Sequence, residues 1–180
     1  KTFPLWRVHQ YAGLAALAWR TGHNYWGWRF AGLALHYVQD LTQPYHASVV
    51  PGGATTKLLG INLLAMVGLT RMKNELVVLL SNRHLALEKY QTQLLLGAAQ
   101  GKRDTAIELA LRNQEGDTRY PAWSEHYARD VVAREAYGYG TELADTLLAT
   151  MPARFVSDPA FDFGVHEAQI DIVAELGKQD

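Results

Sequence analysis

The sequence predicts an all-α fold, a single multi-helix domain over residues 1–180, on three observations. Apolar residues recur at the three- and four-residue spacing of a helix face along nearly the whole chain. Pro and Gly fall where helices would start and stop. No stretch alternates apolar and polar residues over a useful strand length, and there is no internal repeat or low-complexity tract. With 180 residues, 48% hydrophobic and 19% charged, the chain has the composition of a folded globular protein with a substantial core.

The elements follow in order. Pro4 suits a first helical turn, and an apolar pattern runs from Leu5 to Ala18 before Thr21-Gly22 ends it. A second helix is expected from about Tyr25 to Asp40. Proline disfavours the helical conformation at the residue before it, so Gln43-Pro44 turns the chain into a loop reaching Gly53. Thr55-Thr56 would cap a third helix, the almost uncharged run Leu58 to Leu69, expected as a buried core helix or an oligomer interface, or else as an apolar lip that dips into lipid. A long helix covers Arg71 to Ala98, with a bend expected near Ser81-Asn82. A polar section from Gly101 to Gly116 holds a short helix. Pro121 is expected to open a long amphipathic helix to about Thr150, with Trp123, Tyr127, Val131, Leu143 and Leu147 on its apolar side and Tyr137 and Tyr139 in the core. Met151 to Gly164 is irregular, and a last helix fits Val165 to Leu176.

Chemistry concentrates in Leu33-Ala34-Leu35-His36-Tyr37-Val38-Gln39-Asp40-Leu41-Thr42-Gln43-Pro44-Tyr45-His46-Ala47-Ser48. His36 and Asp40 are four residues apart in a helical run, which stacks their side chains on one face. His46 follows from just beyond the helix end. Imidazoles and carboxylates are donors that zinc prefers. A second pair, His84 and Glu88, repeats the four-residue spacing within Asn82-Arg83-His84-Leu85-Ala86-Leu87-Glu88. Three histidines and two carboxylates suffice to ligate more than one metal. His9, His23, His126 and His166 read as helix-surface or loop residues, the one ligand spacing among them being His126 to Asp130.

The run LALHYVQDLTQPYHAS, with RHLALE downstream, resembles the metal-binding core of the zinc-dependent phospholipase C and S1/P1 nuclease superfamily. The resemblance implies that family's helical fold and up to three zinc ions. It makes His36 and Asp40 ligands of a paired-zinc site, with Asp40 bridging, and makes His46, His84 and Glu88 the ligands of the remaining zinc. The family's upstream ligands (an N-terminal Trp, two His and an Asp) have no counterpart in a sequence that begins Lys1-Thr2-Phe3-Pro4-Leu5-Trp6. The expectation is therefore a chain without the family's N-terminal part, or else a divergent member that has rebuilt or lost the paired site, with fewer than three metals and a general base left unassigned. The implied activity is phosphodiester hydrolysis by a metal-activated water, in a secreted or periplasmic protein.

Composition narrows the substrate. A formal net charge of −1 and a pI near 6.7 do not supply the basic stripe of a duplex nucleic-acid clamp. Zero cysteines leave any zinc to His and carboxylates. The apolar Leu58–Leu69 run and the near-neutral charge favour phospholipid, or a membrane surface, as substrate, and the resemblance implies the same, since the chain lacks the cysteines that many eukaryotic nuclease members carry. The alternative enzyme is a single-strand nuclease, which needs aromatic platforms for bases. Trp26, Trp28 and Trp123 are the candidates, with core packing the expectation for each. A third reading is a non-catalytic helical protein with a residual zinc site at His46, His84 and Glu88.

Overall fold

A computed structural model describes residues 3–101 and 106–178. Among the described residues every regular element is helical, as the sequence predicts. The α-helices are α1 (Phe3–Arg20), α2 (Asn24–Asp40), α3 (Pro44–Ala47), α4 (Thr55–Met66), α5 (Arg71–Ala99), α6 (Ala106–Arg112), α7 (Arg134–Gly138), α8 (Gly140–Thr150), α9 (Ala153–Val156), α10 (Phe163–His166) and α11 (Ile172–Leu176). The chain divides into two compact units, residues 1–51 with 119–141, and residues 52–118 with 142–180.

In the first unit α1 and α2 form an antiparallel helical hairpin. Gly22 ends α1 at φ +79°, the left-handed conformation that glycine adopts without a Cβ penalty at a helix C-terminus. Small residues let the two backbones approach: Ala15 and Ala18 of α1 and Gly27 and Ala34 of α2 are buried. Tyr11 stacks against Phe30 at 6.3 Å and Tyr37 at 6.0 Å, and Trp19 meets Trp28 edge-on at 5.3 Å. Such aromatic pairs add about 0.5–1.5 kcal/mol beyond their burial. Trp26 and Trp28 nonetheless remain largely exposed, Trp28 at 71%, which corrects the expectation that they pack in the core. Leu41 closes α2 and is buried, and α3 packs against α7.

In the second unit α5 is the spine, in contact with α4, α6, α9, α10 and α11. Phe155, Val156, Phe163 and Ile172 are fully buried, and Phe155 meets Phe163 edge-on at 5.1 Å. The buried Asn82 of α5 ties this C-terminal segment down. Its Nδ2 donates to the Phe161 carbonyl at 2.6 Å and its Oδ1 accepts from the Phe163 N–H at 2.9 Å. Arg83 Nε donates to the Val156 carbonyl at 2.8 Å, and Gln93 Oε1 accepts from the N–H groups of Ile172 and Val173, the start of α11.

Several element boundaries depart from expectation. The loop after Asp40 contains α3, with Pro44 at its first position, where the missing N–H costs nothing. Thr55 and Thr56 do not cap α4: Ala54 occupies that position without a side-chain bond. Helix α5 runs unbroken through Ser81-Asn82 to Ala99. Pro121 opens no helix. The chain instead winds as a π-helix over Ala128–Ala133, continues as α7 and restarts as α8, because Gly138 and Gly140 flank Tyr139 with the weakest non-proline helix formers. Trp123, Tyr137 and Tyr139 are exposed, not core. The expected helix Val165–Leu176 is three short turns. Asp162 and Asp171 explain this, since each accepts an N–H at a new helix start, from Val165 and Ala174 respectively.

The helical glycines provide a direct test of the hairpin. A Cβ on Gly27 would overlap the Trp19 indole, whereas one on Gly13 or Gly32 would meet nothing within 4 Å. Gly27→Ala should lower stability by about 1–3 kcal/mol, read as a lower urea midpoint. Gly13→Ala should raise stability by about 0.5–1 kcal/mol. Equal responses at the two positions would contradict this packing.

Candidate metal centre

The first group of donors lies at the end of α2 and in α3. The terminal turn of α2 closes with the Thr42 N–H on the Gln39 carbonyl at 3.0 Å and the Gln43 N–H on the Asp40 carbonyl at 3.2 Å. Gln43 is extended, at φ −80° and ψ 120°, the region favoured for a residue before proline. The chain therefore reverses within three residues, and α3 carries His46 back toward the end of α2. There the His46 Nδ1 sits 2.8 Å from Asp40 Oδ1 and 3.0 Å from the Asp40 carbonyl oxygen. Both acceptors are negative, one a carboxylate and one a helix C-terminal carbonyl. A proton on Nδ1 satisfies them and leaves the imidazole lone pair on Nε2. An imidazole that binds metal through one nitrogen commonly donates its other N–H in this way.

Asp40 thus turns to His46 and not to His36, its partner by helical spacing. His36 is exposed on α2, its ring edge-on to Tyr37 at 5.3 Å.

The second group lies on α5. His84 Nε2 and Glu88 Oε1 are 3.0 Å apart across one helical turn, with side chains 26% and 45% exposed. Two donors on one tetrahedral zinc, each ~2.0–2.2 Å from the ion, stand about 3.3–3.6 Å from each other. The pair therefore fits a shared ion after opening by a few tenths of an ångström, with the metal taking the place of the bridging proton. The pair is held in orientation from the opposite side of the helix. Asn82 lies two residues from His84, about 200° around the axis, and its bonds to the Phe161 and Phe163 backbone fix the rotation of α5 in this unit.

The remaining histidines are placed otherwise. His9 is half-buried within α1. His23 Nδ1 lies 3.0 Å from the Thr21 hydroxyl at the hairpin turn, and the His166 ring stacks on Phe161 at 5.2 Å. Asp130, four residues from His126, is taken by Arg129, which donates two hydrogen bonds at 2.6 and 3.0 Å. That guanidinium holds the Asp130 carboxyl below the usual carboxylate range.

No protein-family model matches this chain, and no curated protein and no solved structure matches it either. What the donors can do therefore rests on their own chemistry. Neutral imidazole and carboxylate form the oxygen-and-nitrogen set suited to zinc. The residues that support the second pair, Asn82, Arg83 and Gln93, do not stand out as donors in the sequence, yet Asn82 carries a signal there. It is a polar residue at a position of the α5 apolar stripe that continues through Ala86, and buried amides are retained where they satisfy backbone.

The His46 contact has a signature in the metal-free protein. At neutral pH its ¹⁵N chemical shifts should report the Nδ1–H tautomer, and Asp40→Ala should move the population toward Nε2–H. A wild-type ring protonated mainly on Nε2 would contradict the contact with Asp40.

Proposed function

We propose that the protein is a zinc-dependent phosphodiester hydrolase of the phospholipase C kind, acting on phospholipid headgroups as a secreted or periplasmic protein. The observation that carries this reading is the donor motif. His36, Asp40 and His46, followed by His84 and Glu88, have the residue types and spacing of the superfamily's zinc ligands. Local geometry supports it in each unit: Asp40 orients the His46 imidazole at 2.8 Å, and His84 stands at donor spacing from Glu88. Zinc at such donors supplies positive charge to the phosphoryl oxygens and a water of lowered pKa. The chain's own contribution is to hold these donors in place, His46 through Asp40 and the His84–Glu88 pair through the anchored α5.

The choice of lipid rests on α4 and the turn after it. In this segment Ile61 is buried, while Leu59, Leu63, Val67 and Leu69 are exposed and Met66 reaches 82% exposure. A buried core helix would not leave this surface to water, which corrects the core expectation for the segment. Apolar groups at the tip of a helical hairpin, with Lys57 before them and Lys73 after them, suit the boundary between lipid headgroups and acyl chains. Among the described residues no helix is long and apolar enough to cross a membrane.

A second reading has its own observation. The exposure of Trp26, Trp28 and Trp123 leaves indole faces on which single-stranded bases would stack, as a nuclease of the S1/P1 kind requires.

The full-length protein should contain zinc by elemental analysis and should release phosphorylated headgroup from phospholipid faster than it cuts single-stranded DNA, with both activities lost to a chelator. A protein that holds zinc but hydrolyses neither substrate is the non-catalytic alternative. Faster cleavage of DNA selects the nuclease.

Replacing Leu63 and Leu64 by Ser should reduce hydrolysis of phospholipid vesicles at least about 10-fold, since each exposed Leu withdrawn from lipid forfeits on the order of 1 kcal/mol. Hydrolysis of a monomeric short-chain phospholipid should be unchanged. Unchanged vesicle activity in the folded double variant would contradict the interfacial role.

A further inference from the structure

The first unit holds a cavity of about 340 Å³, within the ~300–1,000 Å³ range of small-molecule sites. Its lining is Thr42, Val131, Val132, Ala136, three tyrosines (Tyr120, Tyr127 and Tyr139) and one carboxylate, Glu135. Two features of the sequence build it. The π-helix Ala128–Ala133 supplies one wall, through Val131 and Val132. The break at Gly138 and Gly140 then leaves Tyr139 exposed at the end of α7.

The lining carries one negative charge and no positive one. Tyr120 donates its hydroxyl proton to Glu135 Oε2 at 3.1 Å, which fixes the carboxylate beside the rings. Trp123 stacks on Tyr127 at 5.0 Å and supports that ring from outside the lining. The chain's own cation is already drawn to this place. The Arg119 guanidinium lies 5.0 Å from the Tyr120 ring centre and donates to its hydroxyl at 2.9 Å. Tyr120, Glu135 and Tyr139 together raise the Arg119 pKa above its usual value, the hydrogen bond to Tyr120 contributing most.

We propose that this cavity is a binding site for a compact organic cation, a quaternary or methylated ammonium group seated among Tyr120, Tyr127 and Tyr139 with Glu135 as its counter-charge. Rings with electron-rich faces attract a cation whose charge is spread over methyl groups, and such a cation sheds its water at little cost. An anion is repelled by Glu135. A neutral apolar ligand would bury the carboxylate without compensating it. A bare divalent ion finds one carboxylate and neutral phenols where it needs a full shell of oxygen donors. The site is independent of the hydrolase reading, because none of these residues is among the metal donors.

The test uses the whole protein in chelator, free of metal, with tetramethylammonium as the probe and ring resonances of the tyrosines followed by NMR. Saturable shifts of Tyr120, Tyr127 and Tyr139 are expected. Sodium at the same ionic strength, a charge without methyl groups, should not produce them. Neither should 3,3-dimethyl-1-butanol, a similar shape without charge. Glu135→Gln and Tyr139→Leu should each weaken binding about 5-fold or more, while Tyr139→Phe, which keeps the ring, should bind as the parent does. Arg119→Gln should tighten binding, because it removes the competing internal cation. Glu135 and Tyr139 are both exposed, so these variants should fold, and a thermal melt checks that they do. No saturable shift, or equal binding of the neutral alcohol, would overturn the proposal. Equal binding by Tyr139→Leu and Tyr139→Phe would overturn the role of the ring.

Discussion

The second unit depends on the side chain of Asn82, which ties the C-terminal part of the chain to α5 through two hydrogen bonds. The C-terminal part of the chain has no long helix of its own. It folds as α9, α10 and α11, each of four or five residues, far below the length at which a helix is stable by itself. Such turns persist only if their backbone groups find partners outside them. Asn82 supplies two, one donor and one acceptor, to Phe161 and Phe163, and Gln93 supplies an acceptor at the start of α11. The apolar core forms around these bonds: Phe155, Phe163 and Ile172 are buried because the segment that bears them is pinned to α5. Each buried polar group left unmet would cost about 1–3 kcal/mol, a large share of the stability of a domain this size.

The same helix gives the second donor pair its precision. A functional pair built on a long helix inherits the rigidity of the helix, and α5 is anchored by polar bonds on the side away from His84 and Glu88. The first donor group is made differently. His46 sits on a helix of four residues, which has little rigidity to lend, and its orientation comes from the end of α2. The Asp40 carboxylate and the Asp40 carbonyl both face Nδ1. One residue thereby closes a helix, aims a histidine and is itself a candidate ligand. That economy explains why the spacing from Asp40 to His46 is short and why proline falls between them: a longer or straighter connection would not return the ring to the helix end.

What is legible in the sequence, and what is not, separates along physical lines. The hairpin α1–α2 is legible because its stop is a local event, a glycine free to adopt positive φ at Gly22. The His84–Glu88 pair is legible because helical spacing alone places the two side chains one turn apart, whereas the same spacing from His36 to Asp40 gives way to the contact of Asp40 with His46. The turn that pairs Asp40 with His46 is only half legible: Pro44 announces a change of direction but not its angle. Residues 121–150 look like one helix in the sequence because a π-helical turn keeps the same apolar residues as an α-helix and changes only their phase. The C-terminal segment resembles one helix for a related reason. Asp162 and Asp171 pass for ordinary polar positions, whereas each starts a new turn by accepting an N–H. Exposure is the least legible property of all. Trp28 and Trp123 are apolar by composition, and only the tertiary fold decides that an aromatic neighbour covers each of them only in part.

Helix α4 shows how far composition can be pressed. A helix that is apolar on all sides belongs in a core or in lipid, since water solvates neither face well. In this fold α5 can cover only one side, and that side takes Ile61. Leu59 is exposed in the first half of the helix, and Leu63, Leu64 and Met66 lie toward its C-terminal end, before the turn at Gly68, whose φ of +91° reverses the chain into α5. The reversal brings Met66, Val67 and Leu69, all exposed, together where α4 meets α5. Their side chains leave water only if something outside the hairpin covers them. For the proposed phospholipase that cover is the boundary between headgroups and acyl chains of its own substrate surface, and for an oligomer it is a second copy of the same hairpin.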